Sequence, residues 1–474
     1  MKKLLTYFSY ILIISAGLRL LPIVTAFLYN EPSESFFLGA VISLALGLLF
    51  LAIAKFLKDD GTRLSLNDGF LLMTGSYLLL SILGSISFYP SFNNNPINAL
   101  FEATSGFTTT GLTMYTSVEH LPKSLLLWRA ETQWVGGIGI IMVFLFILSR
   151  VQYNPEKETR TGRSSALILY RAQGFELIEP SLQRTTEHLL AIYGGYTVLG
   201  ILLLLATGLS AFDAIAMTFT SLSTGGFTVH DAFYTQPGQL AVLSFLMLLG
   251  SISFIAHNNL LRRRIKKFFT DTQNLLLFSI IVIASFFVFL VVSDIQIALF
   301  EVISAYTTTG YTITKISALP GFAIAILLIG MIIGGSFVST AGGIKIHRVH
   351  MMFKSIQWLL KRLSSPFRAI IPYKIHEKPV EKMDRLIVHS FIFTYLLIII
   401  IGTCVFLFLG FSFLDSLFQV SSALGTVGLT TFSLHDIPAA GKVTLMIAML
   451  LGRLEIFPFI LALRRVVTAF HPRK

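Results

Sequence analysis

The chain has 474 residues, of which 54% are hydrophobic and 13% are charged, and its mean hydropathy is +0.77. This composition predicts a polytopic membrane protein and excludes an ordinary soluble domain. The net charge of +12 is therefore expected to serve topology and lipid headgroup contact rather than nucleic-acid binding. The single cysteine, Cys404, excludes an intrachain disulfide.

Ten apolar stretches are each long enough to cross the ~30 Å hydrocarbon core of a bilayer. They lie near residues 7–28, 37–57, 69–89, 124–149, 187–208, 238–261, 274–293, 320–344, 386–410 and 441–463. These stretches predict an all-α membrane fold. The first one follows only Lys2 and Lys3, so it is expected to remain as a helix and not to be cleaved as a signal peptide.

Basic residues mark the cytoplasmic side of the predicted spans. If the N-terminus is cytoplasmic, only three basic residues fall on the outside, namely Lys123, Lys315 and Lys442. The inner segments then carry Lys55, Lys58 and Arg63, the residues from Arg150 to Arg184, the cluster Arg262, Arg263, Arg264, Lys266 and Lys267, ten basic residues from Lys345 to Arg385, and the tail Arg464, Arg465, Arg473 and Lys474. Both termini are therefore expected in the cytoplasm.

Four short polar segments interrupt the apolar stretches, and they align around one glycine each. They read Thr109-Thr110-Gly111-Leu112-Thr113, Thr224-Gly225-Gly226-Phe227-Thr228, Thr308-Thr309-Gly310-Tyr311-Thr312 and Thr426-Val427-Gly428-Leu429-Thr430. We call them glycine segments one to four and count positions from the glycine. A hydroxyl residue stands at minus six in every copy: Ser105, Thr220, Ser304 and Ser422. Four copies in register predict a four-fold arrangement within a single chain.

Each glycine segment follows an apolar run that is too short to cross a bilayer. These runs lie at about 96–106, 211–222, 297–305 and 412–423, and they predict helices that enter the membrane and stop part-way. Asn98, Asp213 and Asp415 lie near the expected starts of three of them. We interpret these side chains as helix caps in preference to ion contacts. The predicted repeating unit is span, half-helix, glycine segment, span.

Irregular backbone at membrane depth is tolerated where protein buries it or where it lines a water-filled path. Four such segments meeting on an axis predict an ion filter, in which carbonyl oxygens replace the hydration shell of an alkali cation. The predicted cation-binding residues are Thr109, Thr110, Gly111, Thr224, Gly225, Gly226, Thr308, Thr309, Gly310, Thr426, Val427 and Gly428. The bulky residues at plus one are expected to wedge the filter against the half-helices: Leu112, Phe227, Tyr311 and Leu429. The alternative is four unrelated packing loops.

A second glycine-rich run, residues 334–343, falls inside the predicted span 320–344 and should break its helix. We call it the glycine-rich loop; its glycines and hydroxyl residues are Gly334, Gly335, Ser336, Ser339, Thr340, Gly342 and Gly343. A close-packing patch for a neighbouring helix is the alternative.

Charged residues inside spans are costly and therefore informative. Arg453 lies deep in the last span, where it either faces a water path or pairs with an acid such as Glu455. Arg19 is expected to snorkel or to pair locally, and Arg129 and Glu131 are expected to tie their helix to a neighbour.

The glycine segments resemble the filters of the TrkH/KtrB/HKT superfamily of potassium and sodium transporters. Residues 129–139 (RAETQWVGGIG) and 334–345 (GGSFVSTAGGIK) are similar to further signatures of that superfamily, and the two extra N-terminal spans match its TrkH branch. The resemblance covers residues 1 to about 470. It implies two N-terminal helices (1–62) and four pore repeats: 63–160, 161–268, 269–375 and 376–474.

The resemblance also implies a function: K⁺ uptake across the inner membrane of a bacterium. Glycine in all four filter positions is the pattern linked to potassium, whereas Gly225 and Val427 depart from the threonine found at minus one elsewhere. The glycine-rich loop would obstruct the pore as a gate, and Arg453 would point into the pore below the filter. The implied partners are a second copy of the chain and a cytosolic nucleotide-binding subunit of the TrkA/KtrA type. That subunit would dock on the basic segments 150–186 and 345–385, where lipid headgroup contact is the alternative.

Two other function classes stay open. A Na⁺- or H⁺-coupled K⁺ transporter with alternating access would also use broken helices, although few acidic residues lie in the spans. A membrane-embedded enzyme would need clustered metal ligands, a phosphate loop or a nucleophile elbow, and the sequence contains none of these patterns. We therefore predict no catalytic residues, no organic cofactor and no metal other than K⁺ at the filter.

Overall fold

The computed structural model describes residues 2–58, 64–150, 182–366, 368–369, 371–375 and 378–470. Helices dominate the described residues, as predicted. Their bounds are α1 Lys2–Leu18, α2 Leu20–Tyr29, α3 Glu34–Phe56, α4 Leu66–Phe88, α5 Pro96–Phe107, α6 Lys123–Arg150, α7 Leu182–Ala206, α8 Ala211–Leu222, α9 Pro237–Ser251, α10 Phe254–Leu261, α11 Ile265–Phe269, α12 Thr272–Val292, α13 Ile295–Tyr306, α14 Gly321–Ile333, α15 Ile346–Leu363, α16 Lys382–Phe408, α17 Phe413–Leu424, α18 Ala439–Leu454 and α19 Ile456–Phe470. Two 3₁₀ turns (Pro90–Phe92 and Ile316–Ala318) and one antiparallel pair of two-residue strands, β1 Lys374–Ile375 and β2 Lys378–Pro379, complete the described structure.

Six helices of the described chain are long and apolar enough to cross a membrane, with α1 and α2 counted as one, and two bent pairs raise the number to eight. The bent pairs are α9–α10, with an angle of 107°, and α18–α19, with an angle of 106°. The two remaining predicted spans correspond to α6, a 28-residue helix, and to α14, which stops at Ile333. The glycine-rich loop therefore does interrupt its span.

The chain repeats one arrangement four times: a long helix, a half-helix, a glycine segment and a second helix. We call these units one (α4–α6), two (α7–α9), three (α12–α14) and four (α16–α18). Each half-helix (α5, α8, α13 and α17) has 12 residues and is therefore about 18 Å long, which reaches only part-way across the ~30 Å core. Their ends agree with the predicted runs to within two residues.

The caps of the half-helices lie three residues before the predicted ones. The side chains that accept hydrogen bonds from the free N–H groups belong to Asn95, Ser210, Asp294 and Ser412. The capping role predicted for Asn98, Asp213 and Asp415 was therefore wrong, because these residues lie inside the first helical turn. There Asn98 instead accepts a hydrogen bond from the Lys442 Nζ (2.7 Å).

The N-terminal helices α1–α3 stand outside the four units and are held by Arg19. This side chain is fully buried, so of the two predicted alternatives snorkelling was wrong and local pairing is confirmed. Its guanidinium donates locally to the Ser15 carbonyl oxygen (2.8 Å) and reaches α4, where it donates to the Leu83 carbonyl oxygen (2.6 Å). It also lies 4.9 Å from the ring centroid of Trp128 on α6. A charge at this depth needs such partners, and here they bind the extra helices to unit one.

The predicted cytoplasmic docking segments are only partly described. Residues 151–181 of the first segment, and residues 367, 370 and 376–377 of the second, lie outside the described residues. In the second segment, the Trp358 indole donates to the Ile371 carbonyl oxygen (2.8 Å), and the Tyr373 hydroxyl donates to the Met351 carbonyl oxygen (2.8 Å). These two aromatic side chains therefore help to hold their own segment together.

Candidate ion filter and gate

The four glycine segments share one unusual backbone conformation. The threonine at minus two has a positive φ in every copy (51° to 55°), and so does the glycine (80° to 96°). The left-handed region is strained for threonine, and glycine tolerates it without penalty. The residues concerned are Thr109 and Gly111, Thr224 and Gly226, Thr308 and Gly310, and Thr426 and Gly428. A conformation that recurs four times at a cost is typical of a functional site.

The four segments close into a ring. At each glycine, the place that a Cβ atom would take is filled by the carbonyl oxygen of the minus-one residue in the next segment. The contacts run from Gly111 to Gly225, from Gly226 to Thr309, from Gly310 to Val427 and from Gly428 back to Thr110. The order one, two, three, four, one is the order of a four-fold pore, and it requires glycine at all four positions.

Each segment is anchored on its own half-helix. The N–H at minus one donates to the carbonyl oxygen at minus six over 2.8–2.9 Å, through the pairs Thr110–Ser105, Gly225–Thr220, Thr309–Ser304 and Val427–Ser422. The side chains at plus one are buried in all four copies, at 1–2% exposure. Among them, the Tyr311 hydroxyl lies 2.5 Å from the Thr220 Oγ1 of the preceding unit. The glycine segments are thus braced within and between units.

A further set of residues, absent from the predicted site, supports the C-terminal ends of three of the four segments. These residues stand at minus nine, on the half-helices: Glu102, Met217, Glu301 and Gln419. In three units the threonine at plus two donates to the side chain at minus nine, through the pairs Thr113–Glu102 (3.0 Å), Thr312–Glu301 (2.9 Å) and Thr430–Gln419 (2.9 Å). The sequence signal for these residues was a polar side chain at the same position in three otherwise apolar half-helices.

Arg129 ties unit one to unit two, as the sequence predicted. Its Nε donates to the buried Glu102 carboxylate (2.9 Å), and its Nη1 donates to the Thr228 carbonyl oxygen (2.9 Å). The guanidinium also lies 4.1 Å from the ring centroid of Phe227. One buried ion pair therefore connects a half-helix with the C-terminal ends of two glycine segments.

We expect Glu102→Gln to destabilise the protein by about 3 kcal/mol, because it leaves the buried Arg129 charge unpaired. Glu301→Gln is the matched control. Glu301 has the same position in unit three, and its carboxylate accepts hydrogen bonds from Thr312 and Ile313 rather than from an arginine. Thermal unfolding in detergent measures both variants, and equal losses of stability would contradict the importance of the ion pair.

Gln133, from the signature on α6, makes unit two different from the others. Its Nε2 donates to the Gly225 carbonyl oxygen (2.6 Å), and its Oε1 accepts from the Phe227 N–H (3.1 Å). A Cβ atom at Gly225 would overlap this side chain. In units one and three the minus-one threonine instead bonds to the threonine at minus three, over 2.8 Å in both cases. The glycine at minus one thus makes room for Gln133.

The glycine-rich loop lies directly beneath the ring. The Gly342 N–H donates to the Thr308 Oγ1 (2.7 Å), and the Thr340 Oγ1 lies 3.4 Å from the Thr224 Oγ1. A Cβ atom at Gly342 would overlap Thr426. The loop therefore contacts the minus-two threonines of three of the four segments.

The loop is attached to the break between α9 and α10. The Ser336 N–H donates to the Ser251 carbonyl oxygen (2.9 Å), and the Thr340 N–H donates to the Gly250 carbonyl oxygen (3.1 Å). These bonds use carbonyl groups that the end of α9 leaves free. A kinked helix and the loop thus form one hydrogen-bonded unit.

Arg453 joins the loop to unit one. Its Nη1 donates to the Thr340 carbonyl oxygen (2.5 Å), and its Nη2 donates to the carbonyl oxygens of Gly136 (2.7 Å) and Gly137 (2.8 Å). The alternative ion pair with Glu455 is not formed, since Glu455 pairs with Arg348 (2.8 Å). Arg453 is 5% exposed, and it links three backbone carbonyls beside the ring of glycine segments.

Comparison with known proteins shows which family has this arrangement. The family model of TrkH, described as a cation transport protein, matches residues 33–468. The chain belongs to the TrkH family. An uncharacterized cation transporter of Methanocaldococcus jannaschii is 32% identical over 93% of this chain and 90% of its own length. The Trk system potassium uptake protein TrkH of Halomonas elongata is 30% identical over 92% of both chains.

A solved structure of the TrkH family has the same fold. The crystal structure of the potassium transporter TrkH from Vibrio parahaemolyticus superimposes with a TM-score of 0.84 over 98% of both chains, at 25% identity. The resemblance stated from the glycine segments and the predicted all-α membrane fold are therefore confirmed. These relatives are transport proteins by name.

Proposed function

We propose that this TrkH-family chain takes up K⁺ across the cytoplasmic membrane through a channel-like, K⁺-selective pore. The observation that carries the proposal is the closed ring of four glycine segments. Potassium is the ion named for the relatives from Halomonas elongata and Vibrio parahaemolyticus. K⁺ is the transported substrate here, and the pore requires no organic cofactor.

In this proposal, carbonyl and hydroxyl oxygens of the glycine segments bind the dehydrated cation. The binding positions run from minus two to zero in each segment: Thr109, Thr110, Gly111, Thr224, Gly225, Gly226, Thr308, Thr309, Gly310, Thr426, Val427 and Gly428. The ring is not four-fold in its chemistry, because Gln133 already donates to the Gly225 carbonyl oxygen. That oxygen has less electron density to offer a cation, so we expect unit two to bind K⁺ more weakly than the other units.

The glycine-rich loop is the gate in this proposal, and Arg453 is its latch and a barrier to cations. The support is geometric, since the loop contacts three threonines of the glycine segments. Arg453, on α18 of unit four, bonds both to the loop and to α6 of unit one. Glycine allows such a loop to change conformation at little steric cost. The loop cannot leave its place while Arg453 holds the Thr340 carbonyl.

The proposal extends to orientation and assembly. Both termini lie in the cytoplasm, as the distribution of basic residues indicates, and residues 1–62 precede four pore repeats with bounds 63–160, 161–268, 269–375 and 376–474. Two copies of the chain form a homodimer on a cytosolic nucleotide-binding subunit of the TrkA/KtrA type. The relative from Halomonas elongata is named as a protein of a Trk system, which supports a partner subunit.

Cation flux in proteoliposomes tests the proposed function. We expect voltage-driven uptake of K⁺ and Rb⁺ with Na⁺ and Li⁺ excluded, and we expect Gly111→Ser to lower the K⁺/Na⁺ selectivity about tenfold, since one misplaced carbonyl weakens the ligand ring by roughly 1.4 kcal/mol. Gly208→Ser is the matched control: its φ of +86° is close to the +84° of Gly111, but nothing lies within 4 Å of its added Cβ.

A strict requirement for a Na⁺ or H⁺ gradient, with the selectivity of Gly111→Ser unchanged, would instead favour a coupled K⁺ transporter with alternating access. Equal loss of selectivity in the Gly208→Ser control would show that positive-φ strain, rather than the ring contact, is the cause.

A further inference from the structure

A basic elbow joins the kinked helix of unit two to the first helix of unit three. We define it as residues 261–270, which include the short helix α11. Its five basic side chains are all exposed: Arg262, Arg263, Arg264, Lys266 and Lys267. Residues 261–270 contain no acid, and the nearest one in sequence, Asp271, caps α12 by accepting hydrogen bonds from the N–H groups of Gln273 and Asn274. The elbow therefore presents a concentrated positive charge.

Large apolar side chains are exposed between these charges. Leu261, Ile265 and Phe269 are 61%, 56% and 60% exposed, and they recur every four residues. Phe268, in contrast, is buried. Its ring centroid lies 6.1 Å from that of the buried His257 on α10. A segment that shows both basic and large apolar side chains is typical of the membrane interface, where acyl chains and anionic headgroups meet.

The elbow lies between two anchors of the glycine-rich loop. On one side, the Phe254 N–H at the start of α10 donates to the Val338 carbonyl oxygen (3.0 Å). On the other side, the Gln273 Oε1 at the start of α12 accepts from the Phe337 N–H (2.9 Å). A shift of the elbow would move both anchors, and with them the middle of the loop.

We propose that anionic phospholipid headgroups of the cytoplasmic leaflet bind the basic elbow and thereby shift the glycine-rich loop towards the conducting state. The inference rests on the proposed function, which makes this loop the gate. The exposed apolar side chains favour a lipid over an acidic protein surface, because they can contact the acyl chains of a lipid. A soluble protein partner has no acyl chains. Anionic lipid is thus a ligand of the pore subunit itself.

The test uses the full-length chain in vesicles of phosphatidylcholine alone or with added phosphatidylglycerol. Arg264→Gln/Lys267→Gln removes two charges from the elbow. Lys55→Gln/Lys58→Gln, the matched control, removes two exposed basic residues near the end of α3, in the N-terminal helices. Retention of phosphatidylglycerol is measured by native mass spectrometry, and K⁺ flux is measured at fixed voltage without the regulatory subunit.

We expect phosphatidylglycerol to raise the K⁺ flux of the wild type and of the control variant. The elbow variant should lose that increase and bind the lipid about 25-fold more weakly, since each basic residue near an anionic surface contributes roughly fivefold. An equal flux response in the elbow variant, or no response in the wild type, would overturn the proposal.

Failure of this inference can be distinguished from failure of the proposed function. If the wild type conducts no K⁺ in any lipid but retains phosphatidylglycerol at the elbow, the pore assignment fails. If it conducts K⁺ equally with and without the anionic lipid, the pore assignment stands and the coupling to the gate fails.

Discussion

Gly310→Ala is expected to reduce K⁺ flux by about a hundredfold. The new methyl group would overlap the Val427 carbonyl oxygen in the next glycine segment, and overpacking of this kind costs on the order of 3 kcal/mol. The backbone fixes the position of the new Cβ atom, and the Val427 oxygen is itself a backbone atom. Neither can rotate away as a longer side chain would. The ring must therefore open or distort at the position where a cation is expected to lose its water. Flux of K⁺ and Rb⁺ in proteoliposomes measures the effect.

Gly208→Ala separates ring closure from backbone strain. Gly208 has the same φ as Gly310, +86°, but nothing lies within 4 Å of its added Cβ. Both variants place a methyl group on a left-handed residue, which costs roughly 1–2 kcal/mol. Only Gly310→Ala adds the overlap. If both variants conducted equally, or if Gly310→Ala kept wild-type flux and selectivity, the glycine segments would not form the conducting ring.

Arg453→Gln is expected to raise K⁺ flux in the absence of the regulatory subunit by at least about tenfold. Arg453 donates to the Thr340 carbonyl oxygen in the glycine-rich loop and to two carbonyl oxygens of α6. Hydrogen bonds to a charged group contribute roughly 1.5–3 kcal/mol each, so the loss of one at Thr340 is enough to shift a closed loop substantially. The substitution also removes a positive charge from the proposed cation path.

Arg453→Lys distinguishes the two effects. Lysine keeps the charge but cannot serve several carbonyls with a planar fork of donors. If the latch matters most, Arg453→Lys should conduct nearly as well as Arg453→Gln. If the charge matters most, the lysine variant should stay near the wild-type level. Unchanged flux in both variants would remove Arg453 from the gate, and voltage-clamped proteoliposome assays resolve these outcomes.

The sequence predicted the architecture well because hydropathy and glycine placement report directly on membrane depth. Apolar runs of two lengths distinguish spans from half-helices, and the position of Gly334 indicated where α14 stops. The alignment of the four glycine segments also predicted the ring, because segments that align residue by residue were expected to occupy equivalent places. The confirmed family resemblance rests on these same residues.

The helix caps could have been predicted by comparing the same position, counted from the glycine, in all four repeats. The true helix caps, Asn95, Ser210, Asp294 and Ser412, all stand at minus sixteen, and all four are cap-forming residue types. The predicted caps at minus thirteen covered only three units. The missing fourth member was a sign that the choice was wrong.

Contacts between distant parts of the chain left no local pattern. Arg19 and Leu83 are 64 residues apart, and Arg453 and Gly136 are 317 residues apart. The sequence could show that each arginine needs partners at its depth. Which carbonyls provide them depends on how the helices cross, and that information does not lie in any single window of the sequence.

The residues at minus nine have a consequence for how this pore can vary. In a channel made of four identical subunits, every substitution appears four times around the axis. Here Glu102, Met217, Glu301 and Gln419 occupy equivalent places with different chemistry. The local electrostatic field around the proposed permeation path is therefore asymmetric, and in this proposal mutation can adjust it one repeat at a time. If the ring is the filter, as we propose, a single substitution in this chain can give intermediate selectivities that a homotetramer, which repeats each substitution four times, cannot reach.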